Sequence, residues 1–146
     1  MTINIEKSVE IKFNQNKLQR RNLKDICLII LHHRGGSGSV ESIHQQHLKN
    51  GWAGIGYNYY IRFSVKVYEG RPVQYVPSHC AGNNSKSIGI CLEGDFRKQQ
   101  PTKLQMESLR ELIKELKKEF PTIKKVLNHN DLYATQCPVI NLKEMI

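Results

Sequence analysis

A chain of 146 residues with 39% hydrophobic side chains is long enough for one core and too apolar for wholesale disorder. Its formal charge of +9, from 22 Lys and Arg against 13 Asp and Glu, favours anionic partners such as nucleic acid, a membrane surface or an acidic wall polymer. No block of five basic residues marks a nucleic-acid tail, and the longest apolar run, Ile26 to Leu31, is too short to span a membrane.

The N-terminal stretch MTINIEKSVEIKFNQNK lacks the uninterrupted apolar core of a signal peptide, so the protein is expected to be cytoplasmic when made. Residues 1–24 are polar and mixed and their place in the fold is open. Within them VEIKF alternates as a short strand does, and NQNKLQRRN reads as a loop. Lys24 to His32 is a predicted strand, apolar on both faces, which calls for helices on both sides of a sheet. RGGSGS is a loop by composition. A helix follows from Val40 to Asn50, with Ser39 as its N-cap and Gly51 just past its end.

GYNYYIRF and VKVYEG are predicted to pair as neighbouring strands, with EGRP as a turn. SHCAGNNSKS is a long polar loop, and SIGICLEG another buried strand. The clearest helix starts after Pro101, where Thr102 and Gln105 make a capping box. Leu109, Leu112, Ile113, Leu116 and Phe120 fall on one face of it, and Pro121 ends it. IKKVLNH is a last short strand. The sum is a single α/β domain over residues 1–146, with a central mixed β-sheet flanked by helices.

Four cysteines stand at 27, 80, 91 and 137 without a C-x-x-C pair. Cys27 and Cys91 lie inside apolar strand patterns and read as buried free thiols, not as a disulfide framework. The chemistry gathers elsewhere. His32 stands at the exit of one predicted strand and His129 at the exit of another, at the sheet rim where sites are built. Cys137 follows His129 by a seven-residue loop, long enough to turn back beside it. Two imidazoles and a thiolate fill three corners of a tetrahedron and leave the fourth for water, the pattern of a catalytic rather than a structural zinc. His33 points to the opposite face from His32. His44 and His47, three apart on the first helix, read as exposed side chains rather than a metal pair.

LIILHHRGG, GWAGIGYNYYI, YEGRP, SHCAGNNSKSIGICLEGDF and NHNDLYATQCP occur in the order and spacing of the zinc-dependent N-acetylmuramoyl-L-alanine amidases of type 2. The chain resembles that family, which includes the amidase-type phage lysozymes and the animal peptidoglycan-recognition proteins, over Ile26 to Leu142. The resemblance implies the recognition-protein fold, one catalytic Zn2+, and His32, His129 and Cys137 as its ligands. It implies Tyr57 as the catalytic tyrosine beside the metal. Thr135 stands where some phage enzymes carry Lys and the catalytic recognition proteins carry Thr. Some intracellular relatives have a catalytic Glu where this chain has Cys91, and its absence here favours the tyrosine-assisted branch. His79 matches a histidine of the substrate groove, against the plainer reading of a loop-surface side chain.

The same resemblance implies a peptidoglycan glycopeptide as substrate, cut at the amide between the lactyl group of N-acetylmuramic acid and L-alanine. The polar loops would wall a groove in which Asn83, Asn84 and Ser85 meet sugar and peptide amides. Arg62 and Arg71 are candidates for stem-peptide carboxylates, beside the ordinary reading of exposed arginines. Asp131 either orients a ligand imidazole or caps backbone amides. A thiolate ligand makes zinc a weaker Lewis acid, which makes help from Tyr57 more valuable. Two alternatives stand: a non-catalytic recognition module, which in this family usually lacks the cysteine ligand, and a lysozyme that also binds a polymerase. Action on the bacterial wall after release is expected, without membrane insertion, an obligatory protein partner or nucleic-acid binding.

Overall fold

The computed structural model describes residues 3–8, 11–64 and 66–146. Among the described residues, six strands form one sheet: β1 (Ile5–Lys7), β2 (Leu28–His33), β3 (Tyr59–Ile61), β4 (Val67–Glu69), β5 (Ser87–Leu92) and β6 (Lys125–Asn128). The described residues also form two α-helices, α1 (Val40–Lys49) and α2 (Lys103–Glu119). The strand order is β1-β4-β3-β5-β2-β6. All neighbours are parallel except β3 and β4, which form the expected antiparallel pair. The sheet is therefore mixed, in a single α/β domain.

β2 can lie inside the sheet, between β5 and β6. Ile29, Ile30 and Leu31 are all 0% exposed, so both faces of the strand are covered, as a parallel strand requires. Ile29 and Leu31 join α2's Leu109, Leu112, Ile113 and Leu116 in the main core. Val40 and Ile43 of α1 pack with Ile55, Tyr60 and Cys91 on the other face. Burying each large aliphatic side chain contributes roughly 1.5–3 kcal/mol, so these two clusters carry most of the stability. The capping box of α2 is closed in both directions: the Gln105 amide N–H donates to Thr102 Oγ1 at 3.0 Å, and the Thr102 amide N–H donates to Gln105 Oε1 at 2.9 Å.

Several expectations need adjusting. The strand expected to begin at Lys24 begins at Leu28; a 3-10 turn capped by Asn22 occupies 23–25. No strand forms over the described part of VEIKF, residues 11–13; Val9 and Glu10 lie outside the described residues, and the N-terminal strand is β1 instead. His44 and His47 are not exposed. They are 0% and 8% exposed, because α1 turns Val40, Ile43, His44 and His47 toward the sheet as one stripe.

Candidate metal centre and active site

The alternation of β2 decides which histidine faces the site. His32 shares its face with Leu28 and Ile30, and His33 points the other way, where its Nδ1 accepts the Phe96 amide N–H at 3.1 Å. β6 lies beside β2 in parallel, with Leu31 opposite Asn128. The next residue, His129, therefore emerges at the same rim as His32, and the two rings stand 4.4 Å apart. The loop after His129 folds back as its length allows. Cys137 Sγ lies 3.8 Å from His32 Nδ1 and receives the His33 amide N–H at 3.4 Å. One ligand atom from each of His32, His129 and Cys137 falls within 4.8 Å of the other two.

Whether these residues suit a metal can be judged from their bonding. His129 Nδ1 is buried and has no hydrogen-bond partner among the described residues, which is costly unless a cation meets it. His32 Nε2 is engaged by His79 Nδ1 at 2.7 Å, so His32 turns its Nδ1 inward. Burial, then the nearby His79, His129 and His33, holds the His32 imidazole well below its usual range, so it stays neutral and able to ligate. Burial likewise lowers His129. Burial pushes the Cys137 thiol up to about 11, and its thiolate needs a cation to persist. Two neutral imidazoles and a thiol that a cation would ionise fit zinc.

Tyr57 stands beside this cluster, its ring 5.1 Å from that of His32. Burial, then the thiols of Cys91 and Cys137, holds its hydroxyl well above the ordinary value, so the phenol keeps its proton and can donate it. Cys91 of β5 is hydrogen-bonded to that hydroxyl.

The remaining candidates separate. Thr135 Oγ1 accepts the Cys137 amide N–H at 3.2 Å and so holds the cysteine's turn. His79 is not a loop-surface side chain. It sits behind His32, with Nε2 bonded to Ser87 Oγ at 3.0 Å, an arrangement that fixes the His32 ring. Asn84 Oδ1 accepts from the His79 and Cys80 amides at 2.9 and 2.8 Å, and Asn83 Nδ2 donates to Cys80 Sγ at 3.8 Å. Arg62 makes a forked pair with Glu93, Nε and Nη2 each 3.1 Å from a carboxylate oxygen. Arg71 is 2% exposed and donates to the Gly54, Ile55 and Val76 carbonyls and to Ser78 Oγ, so it braces backbone and is not an exposed arginine. Asp131 takes the capping alternative: it accepts the Asn128 amide N–H at 2.8 Å and pairs with Lys143.

His47, expected from the sequence to be exposed, borders the site instead: its Nδ1 accepts the Gly56 amide N–H at 2.9 Å and its ring lies 5.6 Å from Tyr57. The signal was present, since 40, 43, 44 and 47 have the 3/4 spacing of a buried face.

Comparison with known proteins agrees with this geometry. The family model of N-acetylmuramoyl-L-alanine amidase matches residues 22–139. The endolysin of Klebsiella phage KP32 is 38% identical over 109 residues, 71% of this chain and 72% of that one. Peptidoglycan-recognition protein SD of Drosophila simulans is 31% identical over 121 residues, 75% of this chain and 65% of its own. Among solved structures, the N-acetylmuramoyl-L-alanine amidase LysC from Clostridium intestinale URNW superposes with a TM-score of 0.89 at 32% identity, covering 99% of this chain and 95% of that one.

Proposed function

This chain belongs to the N-acetylmuramoyl-L-alanine amidase family and is a peptidoglycan amidase of the endolysin kind; from that premise we propose that residues 1–146 act as one catalytic domain holding a single zinc ion. The bond cut is the amide between the lactyl group of N-acetylmuramic acid and L-alanine. His32, His129 and Cys137 hold the ion, and His79 and Thr135 fix the first and last of these ligands: the histidine through the His32 ring, the threonine through the Cys137 amide. The ion, when bound, supplies Lewis acidity and a water acidic enough to attack near neutral pH.

Tyr57 does the rest of the electrostatic work. Its proton-bearing hydroxyl donates to the oxyanion that forms as water adds to the amide carbonyl, and Thr135 is the second donor. Asn83, Asn84 and Arg62 edge the groove for the glycopeptide. The site's place of action is the bacterial wall; among the described residues no helix is long and apolar enough to cross a membrane.

The observation that carries this reading is the convergence of His32, His129 and Cys137 within 4.8 Å beside Tyr57. The experiment is digestion of purified bacterial walls by zinc-loaded protein. New L-alanine amino termini are expected. New reducing sugars would make the protein a glycosidase, and stoichiometric zinc without any digestion would leave recognition alone.

A further inference from the structure

The loop that carries Tyr57 has almost every backbone polar group spoken for. The Ile55 amide N–H donates to His44 Nδ1 at 3.0 Å, and the Gly56 amide N–H to His47 Nδ1 at 2.9 Å. Arg71 takes the Gly54 and Ile55 carbonyls, the Ser78 amide takes the Gly56 carbonyl, and the Arg71 amide takes that of Tyr57. A Cβ at Gly56 would strike the Ser78 backbone, so the two loop segments lie in direct contact there.

The outer end of this brace is the N-terminal segment, which the family model, starting at residue 22, does not include. His44 Nε2 donates to the Lys12 carbonyl at 3.0 Å, which fixes the tautomer whose Nδ1 accepts from Ile55. Phe13 meets the His44 ring edge-on at 5.0 Å, and the Arg71 guanidinium lies over the Phe13 ring at 6.0 Å. Phe13 thus wedges against both of these side chains that grip the loop. Gly54 sits against the same wedge: a Cβ there would collide with both the His44 and Phe13 rings. The Asn14 amide N–H donates to the Ala53 carbonyl at 2.8 Å, and Lys17 Nζ to the Gly51 carbonyl at 2.6 Å.

We propose that the segment from Lys12 to Lys17, through Phe13 and His44, positions Tyr57 for catalysis. The inference rests on the reading of Tyr57 as the donor to the reacting amide. Phe13 and His44 are positioning residues: they touch the loop, not the substrate. A purely structural segment would lower stability alone, whereas this one sets where the phenol hydroxyl stands, and sub-ångström placement governs turnover.

The test is a double-mutant cycle with Phe13→Ala and Tyr57→Phe, read as kcat and KM on wall fragments, with zinc content and NMR hydrogen exchange of the Ile55 and Gly56 amides. Phe13→Ala is expected to cut kcat roughly 10-fold with KM and zinc unchanged, and to speed exchange at those two amides. In the Tyr57→Phe background the same change should cost less than about twofold, because the group it positions has gone. Phe13→Leu, which refills the wedge, should restore most of the turnover. His44→Gln, should Phe13→Ala fold poorly, gives the same pattern by removing the link to Lys12. Equal losses in both backgrounds, or no loss in either, overturn the positioning role. Full turnover in Tyr57→Phe alone overturns the reading of Tyr57 and this inference with it.

Discussion

Replacing Arg71 with lysine separates a brace from a ligand-binding cation. The guanidinium makes four hydrogen bonds, to the Gly54, Ile55 and Val76 carbonyls and to Ser78 Oγ, over 2.9 to 3.2 Å. It is 2% exposed, and burial lowers its pKa to about 10, so water does not compensate for lost partners. An ammonium has no planar fork and cannot reach two neighbouring carbonyls and Val76 together. Losing two or more charge-assisted bonds, with their carbonyls left buried, costs about 3–5 kcal/mol. At roughly 2–4 °C per kcal/mol for a domain of this size, Arg71→Lys should melt about 10 °C lower by calorimetry. If Arg71→Lys melts within ~2 °C of wild type yet binds wall fragments more weakly, the side chain is a ligand contact and the bracing argument is wrong.

Tyr57→Phe should keep its zinc and lose roughly 10²-fold or more in kcat, as for one oxyanion donor; unchanged turnover would remove the phenol from the chemistry. Cys137→Ser should lose zinc, measured by metal analysis, and wall digestion together. The His47 imidazole is depressed to about 4 by burial, then by Arg34, Arg71 and His44, so the folded protein resists a proton that the unfolded chain accepts below ~6.5. Its contribution is therefore complete above pH ~6.5 and lost as pH falls toward about 4, a drop of roughly 2 kcal/mol after allowance for partial solvent screening. Urea unfolding at pH 7 and pH 4.5 should show that loss shrink in His47→Asn, which keeps an acceptor but cannot titrate.

Much of the architecture was legible because periodicity speaks for large apolar side chains. The two-sided apolarity of Ile29 to Leu31 announced a covered interior strand, and the capping box at Thr102 announced α2. The convergence of His32, His129 and Cys137 was legible because strand ends and a seven-residue return loop constrain their reach. His44 and His47 were misread because residue type was weighed above spacing: a histidine looks polar, yet its Nδ1 can replace a backbone acceptor inside a core. The start of β2 was set too early because Lys24 and Asp25 belong to a turn capped by Asn22, a side-chain bond that apolar patterning does not register. Arg71 was placed at the surface for the same reason. Nothing in its own neighbourhood of sequence reveals that the carbonyls of Gly54 and Ile55, 17 and 16 residues upstream, converge on it.

The two borders of the sheet are short. β1 offers three residues and β6 four, and the 3-10 turn at 142–144 packs along β6. Stubby borders of this kind give a second copy little ladder to dock on, so fibrillar self-association through them is disfavoured. Growth of the sheet by strand addition is thereby limited to three or four rungs at either border.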